Sequence, residues 1–169
     1  IPVQGIDIDV SMREISALKS TRIEADKIYD KPELPSVDRE EMINQAEEAL
    51  YFSFIVTYAQ GLHQLLEASE NYGYELNMSE VAKIWRAGCI IRAELLDDIS
   101  QTFEEQKGLE NILMAPAFVE KINTTVASAR KLAAFVATAG IPLPGLTNSL
   151  TYFDAFTSGR LPLNLIQAQ

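Results

Sequence analysis

The run Ile84-Trp85-Arg86-Ala87-Gly88-Cys89-Ile90-Ile91-Arg92-Ala93-Glu94-Leu95-Leu96 decides how the chain is read. Two apolar halves meet at an Ala-Gly step, with an arginine on either side. The small side chains of Ala87 and Gly88 let another backbone approach closely. Glycine inside a helical pattern costs about 1 kcal/mol relative to alanine, so a packing reason is expected there. Arg86 and Arg92 are spaced so that they do not share a helix face. The residues alone predict a buried helix pair with a kink or short break at Gly88.

Around this run the chain is helical in both directions. Asn77-Met78-Ser79-Glu80 opens the helix that carries Val81, Ile84 and Trp85. Beyond Gly88 the pattern resumes through Ile91, Leu95, Ile99 and Phe103 and stops at Gly108. Asp97-Asp98 and Glu104-Glu105 read as solvated faces, and no paired-carboxylate acid/base site is indicated. Pro116 suits the first turn of the next helix. Its stripe is Phe118, Val119, Ile122, Val126, Ala129, Ala133 and Val136, with Gly140 at the C′ position. Ile141-Pro142-Leu143-Pro144 is a rigid connector to a helix over 144–157, with Leu146, Leu150, Phe153 and Phe156 inward. Leu163 to Gln169 reads as a helical turn or an extended tail.

Upstream lies the longest element, predicted from Asp38 to Tyr72 and ended by Gly73. Met42, Ala46, Ala49, Phe52, Leu62, Leu65 and Leu66 mark its stripe. Between Ala49 and Ala59 only Ser53 and Thr57 are polar, which predicts burial on every side. A transmembrane helix needs about 20 apolar residues, so this run is too short to span a bilayer. It fits the spine of a bundle or of a dimer. Before it, a helix is predicted from Asp9 to Tyr29, started by a capping box over Ser11-Met12-Arg13-Glu14 and broken at Lys31-Pro32-Glu33-Leu34-Pro35. No alternating strand pattern and no glycine-rich phosphate loop occurs. The expected fold is all-α, a single multi-helix domain over residues 1–169 built around one long central helix and forming a dimer.

Composition narrows the function. The 169 residues are 47% hydrophobic and 22% charged, which indicates a globular chain. A net charge of −10 without any basic run excludes a nucleic-acid or anionic-membrane partner. An anionic ligand would have to be held by a few local arginines. The single cysteine, Cys89, rules out an internal disulfide and points to the cytosol. Its setting predicts a buried, unreactive thiol. With His63 as the one histidine, no zinc cluster, no metal site and no Cys/His dyad is expected. The opening Ile1-Pro2-Val3, without a methionine, fits a fragment.

Several blocks, in order, resemble the C-terminal helical domain of decarboxylating 6-phosphogluconate dehydrogenase. They are Arg13-Glu14-Ile15-Ser16-Ala17-Leu18-Lys19 with Arg22, Tyr58-Ala59-Gln60-Gly61, Trp85 through Arg92, and Gly140-Ile141-Pro142-Leu143-Pro144. Tyr152-Phe153-Asp154 and Leu161 through Gln169 complete the series. The resemblance implies a cytoplasmic homodimer that oxidises 6-phosphogluconate with NADP⁺ and releases CO₂ and ribulose 5-phosphate. In the family order the nucleotide-binding domain, the lysine base and the glutamate acid precede Ile1, and a tail arginine and histidine follow Gln169. It therefore implies no catalytic and no NADP-binding residue in this chain. The family's substrate-phosphate arginine carries over onto Arg13, through Arg-x-Ile-Ser-x-Leu-Lys. Without the resemblance, Arg13 reads as the surface partner of Asp9. The competing function is a non-catalytic helical dimerisation module of the same fold.

Overall fold

Arg39–Tyr72 forms one unbroken helix of 34 residues, and the rest of the chain packs around it. Asp38 starts it by accepting a hydrogen bond from the Glu41 N–H at 2.9 Å. Gly73 ends it at φ +67°, a left-handed conformation that costs a side-chain-bearing residue energy. The computed structural model describes residues 3–88, 93–161 and 168, without side-chain detail at 87 and 88.

The described helices are α1 (Gln4–Ala17), α2 (Lys19–Asp26), α3 (Arg39–Tyr72), α4 (Met78–Gly88), α5 (Leu95–Glu105), α6 (Pro116–Thr138) and α7 (Pro144–Phe156). A 3-10 turn, Ile112–Met114, leads into α6. No strand occurs among the described residues. α3 packs along α6 and against α7, while α1 lies mainly on α7. The core joins Phe52, Ile55, Val56 and Leu62 of α3 to Leu96 and Ile99 of α5 and Phe118 of α6. Phe52 meets Phe153 of α7 edge to face, with centroids 5.6 Å apart. α6 ends in a Schellman turn: the Ile141 N–H donates to the Val136 carbonyl at 2.8 Å, and Gly140 takes φ +66°.

Four expectations need correction. The first predicted helix starts earlier and is two helices. α1 begins at Gln4, and Leu18, at ψ 44°, separates it from α2. Ser11 lies inside α1, where its hydroxyl bonds the Asp7 carbonyl at 3.0 Å instead of capping a start. Second, Ala49–Ala59 is not buried on every side within one chain. Leu50 and Phe54 are 55% and 49% exposed. Third, the inward line of α4 is Met78, Ala82 and Trp85, while Ile84 is 63% exposed. Tyr152 likewise takes the buried place on α7, and Phe156 lies nearer the surface. Fourth, the acidic pairs are more than solvated faces: Asp97, Asp98 and Glu104, though about half exposed, also bridge helices, while Glu105 accepts from Gln101 within α5. Arg86 pairs with Asp97 at 2.9 Å, Lys121 with Asp98 at 3.1 Å, and Lys83 with Glu104 at 2.7 Å.

Two of those pairs, Arg86–Asp97 and Lys83–Glu104, join α4 and α5, which pack against each other antiparallel. Ser79, at the start of α4, bonds Ser100 at 2.8 Å and Glu104 at 2.9 Å near the end of α5. Arg86 meets Asp97 at the other end. α4 ends at Gly88, as the predicted break requires, and α5 runs antiparallel to it. Cys89 and Arg92 lie outside the described residues, as does the tail over 162–167.

Tyr152 carries a pH consequence. Its hydroxyl accepts a hydrogen bond from Asn111 Nδ2 at 3.3 Å. Burial pushes the phenol up from its ordinary value, and the Asn111 bond only partly opposes this. A raised folded value stabilises the protein fully below the ordinary phenol range, and that stability is lost as pH rises through the folded value. Alkaline absorbance titration should therefore show a late phenolate that disappears in Tyr152→Phe. An unchanged late limb in that variant would refute the assignment.

Candidate functional site

Arg13 stands on the turn of α1 that precedes the last one. It is exposed, and among the described residues no hydrogen bond or ion pair engages it. The surface pair with Asp9 does not form. Because α1 begins at Gln4, Arg13 is also clear of the first turn, where a cation would oppose the helix dipole. Its guanidinium thus keeps its donors free of any partner among the described residues.

The other cation of this region is committed. Arg22 of α2 reaches back and donates to the Ser16 carbonyl at 3.0 Å. That bond satisfies a carbonyl left unpaired at the end of α1 and fixes α2 across the Leu18 break. Arg13 and Arg22, matched in one sequence block, thus do different work.

The base of α1 rests over a cavity of about 170 Å³ between α1, α3 and α7. Its polar lining includes Asp9, Gln60, Gln64, Asn148 and Ser149. Asp9, one turn ahead of Arg13, is among the lining residues, and a negative charge beside the cavity disfavours an anion inside it. Gln60, only 5% exposed, accepts a hydrogen bond from the Gly5 N–H at 3.1 Å. The available sequence signal for Gln60 was its place on the Phe52–Val56 side of α3, a polar residue on a core stripe.

No group of three or more His, Cys, Asp or Glu side chains among the described residues could hold a metal ion. His63 bonds the Glu110 carbonyl at 3.0 Å. No described helix is long and apolar enough to cross a membrane. The left-handed glycines Gly73, Gly108 and Gly140 lie beyond helix ends, and none leads from a strand into a helix.

Residues 1–169 match the family described as 6-phosphogluconate dehydrogenase, C-terminal domain. The chain belongs to this family. It is 42% identical over 169 residues to the decarboxylating 6-phosphogluconate dehydrogenase of Raoultella terrigena, covering 99% of this chain and 38% of that protein. It is 41% identical over 172 residues to decarboxylating 6-phosphogluconate dehydrogenase 1 of Saccharomyces cerevisiae, covering 100% of this chain and 35% of that one. The fold matches that of Plasmodium falciparum 6-phosphogluconate dehydrogenase with a TM-score of 0.93 and 37% identity, over 100% of this chain and 37% of that one. That protein is described in its apo form, with its cofactor NADP⁺ and with its substrate 6-phosphogluconate. The chain thus spans little more than a third of the length of these relatives.

Proposed function

We propose that these 169 residues are the substrate-side and dimerisation domain of a cytosolic NADP-dependent oxidative decarboxylase. The reaction converts 6-phosphogluconate to ribulose 5-phosphate and CO₂ in the pentose phosphate pathway. The observation that carries this reading is Arg13, exposed and without a hydrogen-bond or ion-pair partner among the described residues, within the matched Arg-x-Ile-Ser-x-Leu-Lys block. A planar fork of donors suits two phosphate oxygens at once, which a lysine cannot reproduce. In a domain of net charge −10, an unpaired arginine offers a local attraction that the overall field does not. NADP⁺ serves as hydride acceptor, and in this reading it is bound outside residues 1–169, together with the catalytic base and acid. The domain's own part is to hold the phosphate end of the sugar acid. The test is NADPH absorbance and CO₂ release from 6-phosphogluconate by the polypeptide that joins this domain to a nucleotide-binding domain. Neither product from a folded protein would overturn the reading.

The dimer rests on a second observation. Ile43, Leu50 and Phe54 form an exposed apolar line on α3. A second copy of the chain across this line removes it from water, and an interface of the obligate class buries more than about 2,000 Å² in total. We expect micromolar protein to sediment above the 18.8 kDa of one chain, and Leu50→Glu with Phe54→Glu to shift it to monomer. A folded wild-type monomer at that concentration would refute the interface. Association without turnover would select the competing reading, a helical dimerisation module without catalysis.

A further inference from the structure

We propose that Gln60 is a positioning residue for Arg13, acting as an N-terminal cap supplied to α1 from the central helix. The inference rests on the reading of Arg13 as the phosphate ligand. The first N–H groups of a helix have no partner within it, and a side-chain acceptor from the preceding residue ordinarily serves them. At α1 that residue is Val3, which cannot accept, and no side-chain cap bond is made there. Gln4 does not substitute, since its Oε1 is buried and has no partner among the described residues. The Ile6 and Asp7 N–H groups turn back to the Val3 carbonyl at 2.9 and 3.4 Å. The Gly5 N–H is instead taken by Gln60 Oε1 at 3.1 Å, across 55 positions of sequence.

Two features make this bond consequential. No residue of α1 is fully buried, so its packing on α7 is shallow and a directional bond at its start adds to what holds its slide and rotation. Gln60 itself is 5% exposed on α3, the most deeply packed helix, so its amide is held rigidly. Gly5 fits the same arrangement: a Cβ there would stand 3.5 Å from Gln60 Oε1 and 3.8 Å from Asn148 Nδ2, so the backbone lies close to both amides. Gly5 and Arg13 are eight residues apart on one helix, about 12 Å along its axis at about 1.5 Å per residue. A rigid α1 therefore transmits a displacement at Gly5 to the guanidinium.

The test uses the full-length enzyme with Gln60→Met, which keeps length and removes the acceptor, and Gln60→Glu, which keeps an acceptor oxygen beside the positive end of the helix. Each is made alone and in an Arg13→Ala background. Circular dichroism establishes that the variants are folded. Gln60→Met should raise KM for 6-phosphogluconate by about 3- to 10-fold, the effect of losing one hydrogen bond to a buried group. The KM for NADP⁺ should stay unchanged, and Gln60→Glu should recover most of the loss. In the Arg13→Ala background Gln60→Met should add nothing, because the group it positions is gone. A merely structural Gln60 would instead lower the folded fraction or move both KM values, and its effect would persist without Arg13. That persistence, or an unchanged sugar-phosphate KM in Gln60→Met, overturns the proposal while leaving the phosphate assignment standing. An Arg13→Ala enzyme with unchanged KM overturns both.

Discussion

Arg13→Ala in the full-length enzyme is expected to raise KM for 6-phosphogluconate by roughly 10- to 150-fold. A hydrogen-bonding pair involving charged groups contributes about 1.5–3 kcal/mol, and about 1.4 kcal/mol is tenfold in affinity. The structure strengthens this expectation in two ways. Arg13 has no carboxylate or carbonyl partner among the described residues, so binding phosphate breaks no existing pair. Removing it leaves no buried group unsatisfied, so the variant should fold as the parent does. The phosphate is remote from the carbons that react, and part of the lost binding energy should appear in kcat. The KM for NADP⁺ should change little. Arg13→Lys should restore the charge without the fork and recover only part of the loss. A sugar-phosphate KM within about twofold of wild type, well under 1 kcal/mol, would make Arg13 a spectator on the surface of α1.

The helical architecture was legible because the signals were strong and local. Asp38, Gly73, Pro116 and Gly140 mark the ends of α3 and α6 through capping and backbone conformation, which act over a few residues. What was not legible depends on contacts distant in sequence. α1 starts at Gln4 because Gln60 serves it from another helix, and no local cap announces that start. A capping-box pattern at Ser11 therefore points to the wrong place. The antiparallel pairing of α4 and α5 is held by Ser79, Glu104, Arg86 and Asp97, residues that read as ordinary helix surface until the two helices are set side by side. The site divides in the same way. Arg13 was reached through the sequence block that carries it, whereas its lack of a partner is a property of the folded surface. Leu50 and Phe54 show the limit of an all-apolar run, which tells that a helix avoids water but not whether its own chain or another provides the cover.

Phe52→Ala should produce the largest loss of stability, about 3–5 kcal/mol, the range for deleting a buried aromatic ring. Phe52 is wholly buried on α3, and its ring stands edge to face on Phe153 at an interplanar angle of 84°. Helices on both sides hold the site open, since α3 packs on α6 and on α7, so the cavity cannot close by a local shift. For a domain of this size each kcal/mol moves Tm by about 2–4 °C, which gives a fall of roughly 6–20 °C. Phe153→Ala should be non-additive with it by about 0.5–1.5 kcal/mol, the part of the stability that belongs to the ring pair. Phe54→Ala, two positions along the same helix but half exposed, provides the contrast. Its cost should vary with protein concentration, because a group at an interface between copies acts through association. The cost of Phe52→Ala should not. Thermal melts of both variants over a hundredfold range of concentration separate the two. A Tm fall of under about 3 °C in Phe52→Ala, near or below 1 kcal/mol, would mean that the core around α3 is looser than its burial indicates. A concentration-independent Phe54→Ala would remove the apolar line on α3 from the dimer.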